Sequence, residues 1–170
     1  QHRLERARMR RMGCHLPGAI WSMDETPLER WYPVRAHVLL IGDVASGYEF
    51  VPLWGEMVTA GELLAAHLEW LFERYGAPLV LKRDNGSNLN HEAVNAVLAR
   101  HGVLALNSPP YWPRYNGSRE RGVRLFKDGL AQWIGSKPEA TAVDLADGIE
   151  WVRLCSNQRP RRRWAGREPV

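Results

Sequence analysis

The sequence predicts an α/β fold built on one mixed, five-stranded sheet with helices on both faces. Three apolar segments with short connections fill the first third of the chain, which favours an antiparallel meander. Residues 38–41 are all apolar, as expected for a strand that is buried on both faces. Helical spacing then alternates with two short strands, a pattern typical of right-handed crossover units. With 170 residues, 45% of them hydrophobic, the chain can form one domain with a single core.

The element boundaries follow from turn and capping residues. The meander strands are expected at 19–23, 35–43 and 48–54. The first strand ends on Asp24, and Asp43 at the end of the second is typical of a turn former. Thr59 and Glu62 match a capping box, so we expect a helix behind them that ends at Gly76. The remaining elements are expected to be a strand at 78–82, a helix at 90–100, a strand at 103–106 and helices at 118–134 and 141–155.

Charge is unevenly distributed along the chain. There are 23 Lys and Arg against 19 Asp and Glu, which gives a net charge of +4. Residues 1–11 and 159–170 each contain five Arg and one Glu, so the body between them is acidic. Within that body, residues 111–130 carry five bases and two acids. This distribution suits a polyanion lying along the outside, although solvated arms leading to further domains explain the basic ends equally well.

Domain organisation and compartment follow from the same features. We expect a basic helical linker at 1–16, a core at 17–157 and a basic extension at 158–170. Because the chain lacks an initiator methionine, we expect it to be a piece of a longer protein. Cys14 and Cys155 are too few for a disulfide framework, and no apolar run is long enough to span a membrane. Without a signal sequence, the expected location is the cytoplasm.

Three carboxylates stand out by their positions. Asp24 ends the first strand, Asp84 follows the fourth, and Glu120 lies in the first turn of a helix. If the first and fourth strands are neighbours at the sheet centre, these side chains meet at one edge. Clustered carboxylates repel one another unless a cation neutralises them, and hard oxygen ligands suit Mg²⁺ or Mn²⁺. Taken singly, each acid is equally typical of turn and helix-cap chemistry.

The local sequence around the acids resembles a known family. The matching stretches are WSMDET (21–26), VLLIGDVASG (38–47), LKRDNGSNL (81–89), SPPYWPRYNGSRERGVRLFK (108–127) and SNQRPRRRWAGREP (156–169). They resemble the integrase-core (DDE) catalytic domain of retroviral integrases and bacterial insertion-sequence transposases. The SPPY loop and the NQRP ending look most like the bacterial members. The chain departs from the common pattern at Trp112, often histidine there, and at Gly122, usually aromatic.

The resemblance implies an RNase H-like fold and a DNA-processing active site. Asp24, Asp84 and Glu120 would be the catalytic residues and the ligands of two Mg²⁺ or Mn²⁺ ions, about 4 Å apart. The implied activity is phosphodiester cleavage at the ends of a mobile element, followed by strand transfer into target DNA. The implied setting is a homo-oligomer with flanking DNA-binding domains, at the nucleoid in a bacterial cytoplasm and away from membranes.

Basic and polar residues around Glu120 are candidates for DNA contact. Helical spacing puts Arg124 and Lys127 on the same face as Glu120, next to the expected metal site. The full set of expected DNA contacts is Arg114, Tyr115, Asn116, Arg119, Arg121, Arg124 and Lys127. Trp112 and Tyr115 could stack on an unpaired base or pack against the protein, and the basic residues could form a solvated face.

Two other functions remain consistent with the sequence. An RNase H-like nuclease would cut RNA–DNA hybrids or junctions without joining strands. A non-catalytic DNA-binding or scaffold domain would keep the fold without using the acids. Strand joining distinguishes the first alternative, and metal binding distinguishes the second.

Overall fold

The computed structural model describes residues 15–28, 35–109, 117–135, 137 and 140–159. The expected N-terminal helix, the loop at 110–116 and the basic extension after 159 lie outside these ranges. In chain order the elements are β1 (Ile20–Pro27), β2 (His37–Asp43), β3 (Leu53–Gly55), α1 (Gly61–Tyr75), β4 (Val80–Arg83), α2 (Glu92–Arg100), β5 (Leu104–Asn107), α3 (Gly117–Gly135) and α4 (Ala142–Asn157). No helix among the described residues is both long and apolar enough to cross a membrane.

The sheet has five strands in the order β3-β2-β1-β4-β5. β1 pairs antiparallel with β2, and β2 pairs antiparallel with β3. On the other side, β1 pairs parallel with β4, and β4 pairs parallel with β5. This topology confirms the predicted mixed sheet and places β1 and β4 side by side at its centre.

Helices cover both faces of the sheet, which explains the continuous apolar run in β2. Leu39 and Ile41 belong to a core formed with α1 and α2. Val38 and Leu40 belong to a second core formed with α3 and α4. Because side chains alternate along a strand, a strand buried on both faces needs apolar residues at every position. All four are at most 4% exposed.

Two strand boundaries differ from the sequence prediction. β1 continues to Pro27, because its pairing with β2 extends from Trp21 opposite Asp43 to Pro27 opposite His37. Asp24 therefore lies inside the strand, opposite Leu40, and not at its end. The third strand is also shorter than predicted: residues 48–52 contribute one isolated bridge, and the ladder is limited to β3.

The predicted capping box at Thr59 is wrong. α1 begins at Gly61, and its N-cap, Ala60, provides no side-chain hydrogen bond. The Thr59 amide instead donates to Glu25 Oε1 at 2.7 Å. A tertiary contact with β1 has replaced the local one. Gly76 ends α1 as predicted, with a positive φ of 81° that favours glycine.

Candidate active site

The sheet register brings Asp24 and Asp84 to the same level. In the parallel pairing of β1 with β4, Ser22 lies opposite Lys82. Asp24 and Asp84 each follow two residues later, Asp24 inside β1 and Asp84 just after the end of β4. Asp24 is half-buried. The register therefore sets the two residues at the same level of this central pair of strands.

Glu120 approaches the same region from the other layer. It lies in the first turn of α3, where the helix N-terminus favours a negative charge, and its side chain is exposed. Burial raises the pKa of Asp24 above its usual value, and the negative charge of Asp84 raises it further. The Arg119 guanidinium lowers the same pKa, and Glu120 contributes a smaller upward effect. Asp24 is thus within electrostatic reach of both other carboxylates.

Hydrogen bonds from two loops hold Asp84. Ser108 Oγ donates to Asp84 Oδ1 at 2.7 Å, and Asn90 Nδ2 donates to the Asp84 carbonyl oxygen at 3.0 Å. Asn85 Nδ2 donates to the Ser108 carbonyl oxygen at 2.9 Å, which ties the two loops together. Both the carboxylate and the backbone of Asp84 are therefore fixed by neighbouring polar side chains.

Arg83 is an interior residue that the sequence analysis missed. Its guanidinium donates to Asn107 Oδ1 at 2.9 Å, to the Leu89 carbonyl at 2.6 Å and to Asn95 Oδ1 at 2.6 Å. Arg83 is 4% exposed, and burial lowers its pKa. The signal was available in the strand alternation, because Arg83 falls two residues after the buried Leu81 and so shares its face.

Glu25 is a second missed residue. Its carboxylate accepts hydrogen bonds from the Thr59 amide at 2.7 Å and from Asn88 Nδ2 at 2.6 Å. It therefore joins β1, next to Asp24, both to the segment before α1 and to the loop that carries Asp84. Only knowledge of the tertiary neighbours could have shown this role, since Glu25 matches no local motif.

Arg119 occupies a different place from the one predicted. Its side chain is 5% exposed, and its Nη1 lies 2.9 Å from both carboxylate oxygens of Glu49. Asn157 at the end of α4 holds Glu49 in turn, accepting from its amide at 2.8 Å and donating to its carbonyl oxygen at 2.9 Å. Because Arg119 is buried and ion-paired inside the protein, we withdraw it from the expected DNA contacts.

No protein-family model matches the chain. The Gag-Pol polyprotein of baboon endogenous virus (strain M7) is 32% identical over 145 residues, which are 82% of this chain and 8% of that protein. The Pol polyprotein of radiation murine leukemia virus (strain Kaplan) is 30% identical over 146 residues, 85% of this chain and 23% of that protein. The chain thus spans less than a quarter of the length of these curated relatives.

Two solved structures share the fold. The magnesium complex of the HTLV-2 integrase catalytic core domain in its trimeric form superimposes with a TM-score of 0.69 at 20% identity, covering 90% of this chain and 98% of that one. The dimeric form gives a TM-score of 0.66 at 20% identity, covering 84% and 88%. The chain has the fold of an integrase catalytic core domain. Its five-stranded sheet and helices have the RNase H-like fold that the resemblance implied.

The carboxylates of Asp24, Asp84 and Glu120 supply the kind of oxygen ligand that a hard divalent cation needs. Burial and the negative charges of Asp84 and Glu120 raise the pKa of Asp24, whereas the Arg119 guanidinium lowers it. Carboxylate oxygens are the ligands that Mg²⁺ and Mn²⁺ prefer. As positioned, however, no three His, Cys, Asp or Glu side chains in the described part of the chain are gathered closely enough to hold one ion. The donor set fits, and the acids would have to draw closer together around the ion.

The other residues expected to contact DNA differ in how exposed they are and in whether the structure describes them. On α3 of the integrase core, Arg121 and Arg124 are exposed, and Lys127 is half-buried. Arg124 Nε lies 3.9 Å from Asp128 Oδ2, a loose surface pair. The remaining candidates lie outside the described residues: Trp112, Arg114, Tyr115 and Asn116.

A separate cleft of about 330 Å³ lies between α3, α4 and the β2–β3 connection. Arg119 and Glu49 contribute to its wall, together with Leu125 and Trp151, whereas the three acids do not. Asp43, also on this wall, accepts hydrogen bonds from the Gly18 amide and from both the amide and hydroxyl of Ser46. Asp43 therefore forms a turn, in keeping with its sequence interpretation.

Proposed function

We propose that this integrase-core domain is the catalytic core of a DNA integrase or transposase. It would cleave phosphodiester bonds at the ends of a mobile element and transfer the new strand ends into target DNA. The observation that carries the proposal is the sheet register that sets Asp24 and Asp84 at the same level of the central strand pair, with both Asp84 and Glu120 acting electrostatically on Asp24. The similarity to retroviral Pol polyproteins supports it.

In this proposal the three acids hold two Mg²⁺ or Mn²⁺ ions. Such ions, when bound, activate a water or a DNA 3′-hydroxyl and stabilise the leaving oxygen in an in-line displacement at phosphorus. The protein's own contribution is to present the carboxylates. Ser108 and Asn90 orient Asp84, and the first turn of α3 presents Glu120. That the solved HTLV-2 core is described as a complex with magnesium supports this choice of metal.

The proposed partner is DNA, bound by a homo-oligomer. Exposed Arg121 and Arg124 on the Glu120 helix supply positive charge for phosphate contacts that position the backbone. The HTLV-2 core is described in dimeric and trimeric forms, which supports self-association here. Flanking DNA-binding domains belong to the proposal, as does action at the bacterial nucleoid in the cytoplasm, for which the SPPY and NQRP stretches are the support.

The test compares two acid-to-amide variants of the 170-residue chain. Asp84→Asn removes one proposed ligand, and Asp147→Asn changes an exposed carboxylate on α4 as the matched control. Each protein is incubated with Mg²⁺ or Mn²⁺, a duplex carrying a labelled 3′-hydroxyl end, and a supercoiled plasmid. We expect wild type and Asp147→Asn to nick the DNA and join the labelled end, and Asp84→Asn to do neither.

The products also separate the alternative functions. Nicking by wild type without any joined product would indicate a nuclease and overturn the strand-transfer part of the proposal. Wild-type rates from Asp84→Asn would remove the acids from the chemistry altogether. If wild type neither cuts DNA nor binds Mn²⁺ in a calorimetric titration, the domain is a non-catalytic one.

A further inference from the structure

The buried ion pair of Arg119 with Glu49 has an unusual geometry. A guanidinium usually meets a carboxylate through two nitrogens, but here Nη1 alone lies 2.9 Å from both Glu49 oxygens. Arg119 Nε and Nη2 are buried and have no hydrogen-bond partner among the described residues. The side chain as a whole is 5% exposed.

Such a pair is a poor device for stability. Each buried donor without a partner costs folding free energy, and buried ion pairs are often no better than apolar residues of similar volume. Apolar residues would fill the same space without leaving two donors unsatisfied. Fold stability alone therefore does not explain why the Arg119 guanidinium is buried here.

The pair lies directly on the central part of the sheet. A Cβ atom on Gly42 of β2 would stand 2.8 Å from the Tyr48 carbonyl oxygen, 2.9 Å from Arg119 Nη1 and 3.0 Å from Glu49 Oε2, so the ion pair lies against the backbone of β2 at this glycine. Gly42 pairs with Ser22 of β1, two residues before Asp24. Arg119 also immediately precedes Glu120. The guanidinium thus sits between the strand that carries one acid and the helix turn that carries another.

We propose that Arg119, held in place by Glu49, is an internal counter-cation of the carboxylate site. It offsets the repulsion among Asp24, Asp84 and Glu120 and sets the affinity of the site for divalent cations. It acts as a positioning residue, without touching DNA. This inference rests on the proposed function, because it takes the three acids to be cation ligands.

The charges that act on the pKa of Asp24 support this role for Arg119. Arg119 is the leading attractive charge acting on Asp24, whereas Asp84 and Glu120 repel it. Asn157 fixes the Glu49 backbone through two hydrogen bonds, so the anchor of the cation is itself held by the last residue of α4. A fixed cation at a fixed place is what an electrostatic role requires.

The test is Mn²⁺ binding to the full chain, measured by calorimetry. Glu49→Gln leaves the positive charge of Arg119 uncompensated, so we expect the Kd for Mn²⁺ to rise by about threefold or more. The double variant Glu49→Gln/Arg119→Met removes the counter-cation, and its Kd should fall by about the same factor. Arg119→Lys keeps one charged nitrogen for Glu49 and should bind Mn²⁺ like wild type.

The Kd values of the three variants for Mn²⁺, each compared with that of wild type, test the inference. A merely structural pair cannot shift the affinity in opposite directions in the two neutralising variants, provided that circular dichroism shows both to be folded. If the folded double variant binds Mn²⁺ like wild type, or if Arg119→Lys behaves like the double variant, the inference is overturned. Should the double variant not fold, the Kd of Glu49→Gln against that of Glu62→Gln, an exposed α1 control, still measures the effect of leaving the Arg119 charge uncompensated. Should only Glu49→Gln not fold, the Kd of the double variant against that of wild type measures the effect of removing the charge.

Two further outcomes separate this inference from the function it rests on. Failure of wild type to bind Mn²⁺ overturns the proposed function and the inference together. Mn²⁺ binding by wild type, with unchanged Kd values in the variants and weaker DNA binding in the double variant, overturns only the inference. That last result would return Arg119 to the DNA contacts.

Discussion

Ser108 Oγ donates a hydrogen bond of 2.7 Å to the Oδ1 atom of Asp84. The two residues follow neighbouring parallel strands, since Arg83 at the end of β4 lies opposite Asn107 at the end of β5. The Ser108 amide also donates to the Arg83 carbonyl oxygen at 2.9 Å, which continues the ladder by one bond. The strand ends thus place the hydroxyl where it orients the carboxylate.

Replacing Ser108 with alanine should lower activity more than stability. Loss of a hydrogen bond to a proposed metal ligand should reduce the cleavage rate by about tenfold, as for other residues that orient ligands. The free energy of unfolding should fall by only about 1 kcal/mol. Cleavage assays and urea unfolding measure the two effects. Ser87→Ala, at an exposed position of the Asp84 loop, is the control, and equal rates for the two variants would contradict the prediction.

Replacing Arg83 with lysine should destabilise the fold. Lysine keeps the charge but cannot reach three acceptors in three directions, so Asn107, Leu89 and Asn95 lose most of their hydrogen bonds. We expect the free energy of unfolding to fall by about 2–4 kcal/mol. Urea unfolding measures it, with Arg100→Lys as the control because Arg100 forms a surface pair with Glu69. A urea midpoint unchanged from wild type would show that the hydrogen bonds of Arg83 do not stabilise the fold.

The sequence was sufficient for the fold because the sheet is specified locally. Continuous apolar residues at 38–41 predict a strand buried on both faces, and the glycines at 76 and 102 stop helices at positive φ. The predicted third strand was too long because the mostly apolar residues at 48–54 do not reveal which backbone groups find a partner. β1 was predicted too short because its polar residues hide a pairing that only β2 provides.

The site was predictable only in part, for the same physical reason. Asp84 follows a strand and Glu120 begins a helix, as the sequence predicts, whereas Asp24 lies inside β1. Arg83, Glu25 and the Arg119–Glu49 pair depend on partners 6 to 70 residues away. A charged side chain looks the same in the sequence whether it faces solvent or lies buried beside an opposite charge, which is why Arg119 was assigned to DNA.

Stability at low pH should depend on Asp144 near the start of α4. Its carboxylate accepts from Lys137 Nζ at 2.6 Å and from the amide and hydroxyl of Thr141 at 2.9 and 2.8 Å. The Lys137 contact, followed by those from Thr141, holds the pKa of Asp144 well below its usual value. Because an unfolded Asp titrates near pH 3.9, this stabilisation is present above that pH and is lost as the pH falls towards the folded pKa.

The measurement is urea unfolding of wild type and Asp144→Asn between about pH 2 and pH 7. We expect the variant to be less stable at neutral pH, and the difference between the two to shrink as the pH falls below about 4. Asp147→Asn, on the exposed side of the same helix, should run parallel to wild type throughout. A difference for Asp144→Asn that stays constant with pH would mean that the carboxylate charge contributes nothing.

Two helical glycines should respond to alanine with opposite signs. Glycine costs a helix about 1 kcal/mol relative to alanine, so the sequence alone predicts a gain at either position. At Gly122 of α3, an added Cβ meets only Glu49 Oε1 at 3.7 Å, and Gly122→Ala should stabilise the fold by about 1 kcal/mol. At Gly148 of α4, it would stand 2.6 Å from Trp133 Cδ1 and 2.8 Å from Leu130 Cδ1, inside the contact between the two helices. Gly148→Ala should therefore destabilise by about 1–3 kcal/mol, because overpacking outweighs helix propensity. Urea midpoints that move in the same direction for both variants would show that α3 and α4 do not pack as closely as described.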